Sequence, residues 1–163
     1  VTSEQAVNRW FHGRHPLVAG ARGHDPLPGE PVIVLRNDYE RGLYNGDQGI
    51  VLRVHRRNRP GADLRAVFRT GEDFRAFPLA HLASRIQLSH AITVHRAQGS
   101  EYDHVLLVLP GTDMRMMTRE IVYTAVTRAR RSVTIAGDPD LVLAAAARPI
   151  LRSSGIADAL DES

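Results

Sequence analysis

"HVLLVLPGTDMRMMTREIVYTAVTRARRSVTIAGDPDLVLAAAA", residues 104–147, decides the fold class. It opens with an unbroken apolar run, Val105 to Leu109, the pattern of a strand in a sheet covered on both faces. "TREIVYTAVTRARR" (118–131) reads as a helix. Thr118 opens it, Glu120 sits in the first turn, and Ile121, Val122, Ala125, Val126 and Ala129 fall on one stripe at helical spacing. "SVTIA" (132–136) is a second strand. "GDPDLVLAAAA" (137–147) is a second helix, with Asp138 as N-cap and Pro139 at the first helical position. Just upstream, "SHAITV" (89–94) reads as a strand and "VHRAQ" (94–98) as a short helix capped by Thr93 and stopped by Gly99. Strands and helices in alternation make an α/β layer.

Toward the N-terminus the period changes. "PVIVLRN" (31–37) is a short buried strand, and Asn45-Gly46-Asp47 is a turn, since glycine tolerates positive φ and Asn and Asp tolerate the left-handed region. "IVLRV" (50–54), "LRAVF" (64–68) and "FRAFPL" (74–79) follow. Leu64, Ala66 and Phe68 alternate with Arg65 and Val67, so this strand has one wet face. Short strands at this spacing predict a small antiparallel barrel over 43–87. "TSEQAVNRWF" (2–11) predicts a helix, with Thr2 and Gln5 as a capping box and Ala6, Val7, Trp10 and Phe11 as its apolar face. The Gly-, Pro- and His-rich stretch 12–30 reads as a loop, its His12, His15 and His24 solvated rather than metal-ligating. The organisation expected is 1–42 as helix, loop and first strand of the α/β domain, 43–87 as an inserted barrel, and 88–163 as the rest of the α/β domain.

Composition narrows the chemistry. The chain has 163 residues and no cysteine, which rules out disulfides and thiolate metal sites within it and makes a reducing cytoplasm the expected compartment. No run approaches the roughly 20 apolar residues of a membrane span, and no signal-peptide pattern opens the chain. A start at Val1 suggests an excised piece of something longer. All 21 basic residues are arginine, against a net charge of only +3. Arginine's planar fork suits phosphate, although GC-rich codon usage would produce the same bias. With no lysine, the sequence contains no G-x-x-x-x-G-K-[ST] phosphate loop. It also offers no H-E-x-x-H run, paired-carboxylate helix or G-x-S-x-G elbow, and so no support for a free-standing hydrolase or nuclease.

Ligands of open α/β sheets gather where strands run into helices, and "TVHRAQGSEYD" (93–103) begins at such a place. Thr93 can cap while neighbouring N–H groups face out toward a phosphate. His95 can donate to a phosphate or stack on a base, and Glu101 can accept from a ribose hydroxyl. A capped helix with a solvated histidine and glutamine explains the same residues. On the later helix, Arg128 falls at the stripe's edge beside Thr124, Arg130 at the opposite edge, and Arg131 toward solvent. The three arginines therefore cannot form one phosphate-tracking row. Arg131 suits the helix macrodipole, and Arg128 has the better position for a cleft.

"AITVHRAQGSEYDHVLLVLP" and "REIVYTAVTRARRSVTI" resemble motifs V and VI of superfamily 1 DNA helicases, specifically the RecD branch. "RNDYERGLYNGDQGIVL" resembles the segment before motif V in that branch. The likeness runs in order from about Pro31 to Ala147. It implies an ATP-driven DNA translocase, a RecD-type subunit of an exodeoxyribonuclease V complex that processes double-strand breaks. It further implies a partial RecA-like domain of P-loop-NTPase type, without the P-loop, interrupted by an SH3-like barrel. By that resemblance Thr93, His95 and Gln98 contact single-stranded DNA, while Gly99 and Glu101 adjoin the nucleotide. Arg128 matches the motif VI arginine finger that stabilises charge on the transferring γ-phosphate, with Tyr123 and Thr127 as supports. ATP and Mg²⁺ would be bound mainly by a first RecA-like domain whose motifs are absent here, so this chain alone should not turn over ATP. The implied partners are single-stranded DNA, that first domain, and other subunits of a RecBCD-type complex, with no membrane. The alternative is a non-catalytic nucleic-acid-binding or docking module. It would use Arg53, Arg56, Arg57, Arg59, Arg65 and Arg69 with Phe68, Phe74 and Phe77, although a solvated loop over core phenylalanines explains the same residues.

Overall fold

In the computed structural model, residues 3–18, 25–55 and 61–149 are described. The chain divides into two units, 2–96 and 97–163.

The first unit carries α1 (Glu4–His12), β1 (Pro31–Val34), β2 (Gln48–His55), β3 (Ala62–Thr70), β4 (Asp73–Pro78), a 3₁₀ turn at Leu79–His81, and β5 (Ile86–Leu88). The strands form one antiparallel sheet in the order β4-β3-β2-β1-β5. Among the described residues β4 and β5 have no ladder to each other, so by its hydrogen bonds the sheet is open. Its core is Val32, Val34, Leu43, Val51, Ala66, Phe68, Leu82 and Ile86. The turn at Asn45–Asp47 forms as expected, with Gly46 at φ +97°. Gly49 has a different reason: it faces Phe68 across the ladder, and a Cβ there would meet the Phe68 ring at 2.7 Å.

Three expectations differ in this unit. The strand at Pro31 pairs antiparallel with β2 and β5, so it belongs to this sheet and not to the α/β layer. Its apolar run reflects a central strand buried on both sides, which does not by itself distinguish parallel from antiparallel pairing. "SHAITV" is not a strand. The N–H and C=O of Ala91, which a ladder would use, are taken by the side chain of Asn8 at 2.9 and 3.0 Å. "VHRAQ" forms turns, not a helix.

The helix α1 also presents a different face. Ser3, not Thr2, caps it, accepting from Ala6 N–H, and its buried residues are Asn8 and His12 while Trp10 and Phe11 are exposed. His12 is not solvated: its Nδ1 lies 3.0 Å from both oxygens of Glu30, whose residue is 1% exposed. His90 Nε2 adds a contact at 3.3 Å, and Leu27 N–H donates to Glu30 at 2.7 Å. His15 Nε2 meets the carbonyl of Pro28 at 3.0 Å. His24, Arg56, Arg57 and Arg59 lie outside the described residues.

The second unit contains β6 (Tyr102–Val108), α2 (Arg119–Val126), β7 (Ala129–Ala136) and α3 (Pro139–Ala146). β6 and β7 pair in parallel, as a strand–helix–strand crossover requires. Asp138 caps α3 through Asp140 N–H, with Pro139 in its first turn. Leu107 and Leu109 pack with Met117, Val122, Leu141, Val142 and Ala145 in the core. The opposite face differs from expectation: Leu106 is 63% and Val108 45% exposed. Among the described residues, helices cover one side of the sheet. Helix α2 also ends earlier than its stripe suggests. Thr127 Oγ1 donates to the carbonyls of Tyr123 and Thr124 at 2.9 and 3.1 Å, and from Ala129 the chain is strand. Arg130 and Arg131 therefore lie on β7.

Candidate nucleotide and nucleic-acid contacts

Within the second unit, the start of β6 and the end of α2 are brought together around Arg128. Tyr102 N–H donates to the Arg128 carbonyl at 2.8 Å, beginning the β6–β7 ladder. The half-buried Arg128 side chain reaches three acceptors. Nε donates to Thr124 O at 3.2 Å, Nη1 to Ser100 O at 3.3 Å, and Nη2 to Thr127 Oγ1 at 3.4 Å. All three are long for charge-assisted bonds, whose usual length is about 2.7–2.9 Å. The guanidinium is thus held loosely against the last carbonyls of α2, where the helix dipole favours a cation. The expected neighbourhood of Arg128 and Thr124 holds, and Thr127 and Ser100 join it.

Gly99 closes the turn before β6 with φ +84°, and Ser100 N–H donates to Ala97 O at 3.1 Å. Gln98 and Gly99 are exposed. Glu101 is exposed too, paired with Arg130 at 3.0 Å, while Arg131 pairs with Asp103 at 3.7 Å. Solvated pairs of this kind contribute roughly 0–1 kcal/mol, so either can exchange for a ligand at little cost. Placing Arg130 and Arg131 on a strand sends them to opposite faces. They still form no single row with Arg128.

Thr93 and His95 close the first unit, and both are exposed. Thr93 Oγ1 accepts from Arg96 N–H at 3.4 Å. Arg96 in turn pairs with Glu4 of α1 at 2.8 Å, and Glu4 also accepts from Gln87. The turn bearing His95 is therefore tied to α1. Of the aromatics on the antiparallel sheet, Phe68 is core, Phe77 is half-buried with Arg75 over its ring at 5.2 Å, and Phe74 is exposed. Among the described residues no group of three or more His, Asp or Glu could hold a metal ion.

Two features escaped the sequence. The His12–Glu30–His90 cluster joins residues 78 positions apart at its extremes, with no local spacing to announce it. The hydroxyl of Thr127, by contrast, sits where a helix commonly ends in a side-chain cap, and the TRAR stretch could have been read that way.

The second unit is thus a strand–helix–strand unit with a basic residue at the helix end, beside the turn before β6. Residues 88–136 match the UvrD-like helicase C-terminal domain. The RecBCD enzyme subunit RecD of Mycobacterium tuberculosis is 40% identical over 157 residues, covering 92% of this chain and 26% of that protein. The ATP-dependent RecD2 DNA helicase of Deinococcus radiodurans is 40% identical over 122 residues, 74% of this chain and 16% of that one. The chain belongs to the RecD family of superfamily 1 helicases. It spans about a quarter or less of the length of these curated relatives. A Bacteroides Pif1 helicase solved with ADP-AlF3 and ssDNA aligns over 97% of this chain and 42% of its own, at 17% identity and a TM-score of 0.49. A likeness of that size carries no argument about the site.

Proposed function

We propose that this chain forms part of an ATP-dependent DNA helicase, supplying single-stranded DNA contacts and an arginine finger to an ATP site completed by a first RecA-like domain. The observation that carries the reading is Arg128, a half-buried cation joining the end of α2 to Ser100 through long, replaceable hydrogen bonds. A γ-phosphate approaching it would offer charged acceptors in place of neutral carbonyls, roughly doubling the strength of each bond. The guanidinium would then stabilise the charge that spreads over the transferring phosphoryl oxygens. Glu101 would exchange Arg130 for a ribose hydroxyl, and Gly99 would let the backbone approach.

Thr93, His95 and Gln98 would meet the DNA backbone. The acids that hold Mg²⁺ and the loop that cradles the phosphates would come from the first domain. The donor set described here, with no acid cluster, does not suit magnesium by itself. In this reading the antiparallel sheet of the first unit is the SH3-like barrel inserted in a RecA-like domain. The relatives' names, which include RecBCD enzyme subunits and a DNA helicase, support DNA and a multi-subunit complex as partners.

The test is a titration of labelled oligo-dT at two salt concentrations with the wild-type chain, His95→Ala and Arg128→Ala. Weak binding that falls steeply with salt is expected. His95→Ala should weaken it and Arg128→Ala should leave it nearly unchanged, because that arginine serves the nucleotide. Equal loss in both variants would make Arg128 one member of a general basic surface and overturn the division of roles.

A further inference from the structure

The segment "RNDYERGLYNGDQGIVL" (36–52) of the first unit carries two tyrosines without an assigned role. Tyr39 is 77% exposed and Tyr44 is 52% exposed, yet their rings are in contact, with centroids 6.2 Å apart and planes at 78°. Exposed apolar surface gathered into one patch is what marks an interaction site. These two are also fixed in place. Asn37 Nδ2 donates to the Tyr39 hydroxyl at 3.0 Å, and Asn37 Oδ1 accepts from Asn45 N–H at 2.8 Å. Tyr44 N–H donates to Asp47 at 2.7 Å. The loop between them is closed by paired backbone bonds between Asp38 and Leu43, at 2.7 and 3.0 Å.

The base of the same loop gathers arginines. Buried Asp38 holds Arg41 at 2.7 Å and Arg85 at 3.2 Å. Arg75 presses on the loop backbone, its Nη1 standing 3.0 Å from where a Cβ on Gly42 would be. Two guanidinium groups thus pair with a single buried carboxylate, and a third stands against the same loop that carries the aromatic pair. Arginines at the same loop as exposed rings are the combination that sequence-tolerant single-strand binders use: phosphates follow the cations and bases stack on the rings. The T-shaped contact holds the two rings against each other while most of Tyr39 stays exposed.

We propose that Tyr39 and Tyr44 form a base-stacking platform for single-stranded nucleic acid, with Arg41, Arg75 and Arg85 attending the phosphates. The proposal rests on the reading of the chain as part of a DNA helicase, but it assigns a separate contact on the antiparallel sheet's loop, away from motifs V and VI in sequence. A protein partner for the same rings is the competing occupant. The cations favour the nucleic acid.

The test compares the full 163-residue chain with Tyr39→Ala/Tyr44→Ala, Tyr39→Phe/Tyr44→Phe and His95→Ala. The probes are a fluorescein-labelled oligo-dT and an abasic oligomer of the same length and charge. Loss of stacking should weaken oligo-dT binding by about fivefold or more in the alanine pair. The phenylalanine pair should bind like the wild type, and abasic binding should be equal in all tyrosine variants. Both rings are exposed, and the phenylalanine pair keeps the aromatic surface, so misfolding would appear as a loss on both probes. Unchanged oligo-dT affinity in the alanine pair, with His95→Ala impaired, would overturn the platform and leave the motif reading standing. The reverse pattern would keep the platform and overturn the motif V assignment. Equal wild-type affinity for oligo-dT and the abasic oligomer, or binding of neither, would overturn the platform.

Discussion

Removing the Glu30 carboxylate should unfasten the first unit. The residue is 1% exposed and accepts from Leu27 N–H at 2.7 Å while contacting His12 and His90. In Glu30→Ala the Leu27 N–H is left without its acceptor, at a cost of about 1–3 kcal/mol. Both imidazoles lose their anionic partner as well, and breaking a buried pair from one side costs about 3–5 kcal/mol in total. For a unit of this size each kcal/mol lowers the melting temperature by about 4–8 °C, so a fall of at least about 12 °C is expected. Trp10, the chain's one tryptophan, lies in α1 beside this cluster and reports the transition by fluorescence.

The pH dependence has a definite sign. Burial pushes the Glu30 carboxyl up, but the Leu27 N–H and the imidazoles of His12 and His90 outweigh it and hold it below its ordinary 4.5. A carboxylate lowered on folding contributes stability that is present above the unfolded value and lost as pH falls through the folded one. The gap between wild type and Glu30→Gln should therefore be widest above about pH 5 and close on acidification below 4.5. A loss under about 1 kcal/mol in Glu30→Ala, or a gap that widens with acid, would refute this account of the cluster.

Gly49→Ala should cost about 1–3 kcal/mol by forcing the Phe68 ring aside, read from the urea midpoint; no cost would mean the ladder opens there freely. Asn8→Ala leaves both backbone groups of Ala91 unpaired and should cost about 1–3 kcal/mol, with faster amide exchange at Ala91 as its local signature. Leu106→Asn and Leu107→Asn test the faces of β6. The first should change stability by at most about 0.5 kcal/mol, and the second should destabilise clearly, since only Leu107 packs under the helices.

What the sequence disclosed follows from how locally each feature is encoded. Asp138-Pro139 announces α3 because cap and first turn are adjacent in the chain, and Asn45-Gly46 announces its turn for the same reason. Strand pairing is not local. Pro31–Val34 reads as a buried strand, but its partners β2 and β5 lie 14 or more residues on, and nothing in four apolar residues selects them. "SHAITV" failed because a side chain of α1 claims the backbone groups of Ala91. The end of α2 failed because Ala129 fits both a helical stripe and the first position of β7. The residues around Arg128 were readable from motif and edge position together. Their link to Ser100 needed the parallel register, which places Tyr102 opposite Ala129.

The apolar run of β6 shows where a sequence can be right about a residue and differ from the structure about its surroundings. Leu106 and Val108 alternate with Leu107 and Leu109, yet all four are large and apolar, the composition of a parallel strand covered on both sides. Here α2 and α3 cover the odd-numbered face, and the even-numbered face, with His104 bonded to Ser132 at 2.8 Å, meets solvent. A half-polar strand would have sufficed for what is seen. Under the proposed function the even face belongs against further parts of a RecA-like layer, which agrees with relatives about four times or more the length of this chain's match. If that holds, Leu106→Asn should be silent in this chain and harmful in the longer protein, a contrast that core packing within these residues cannot produce.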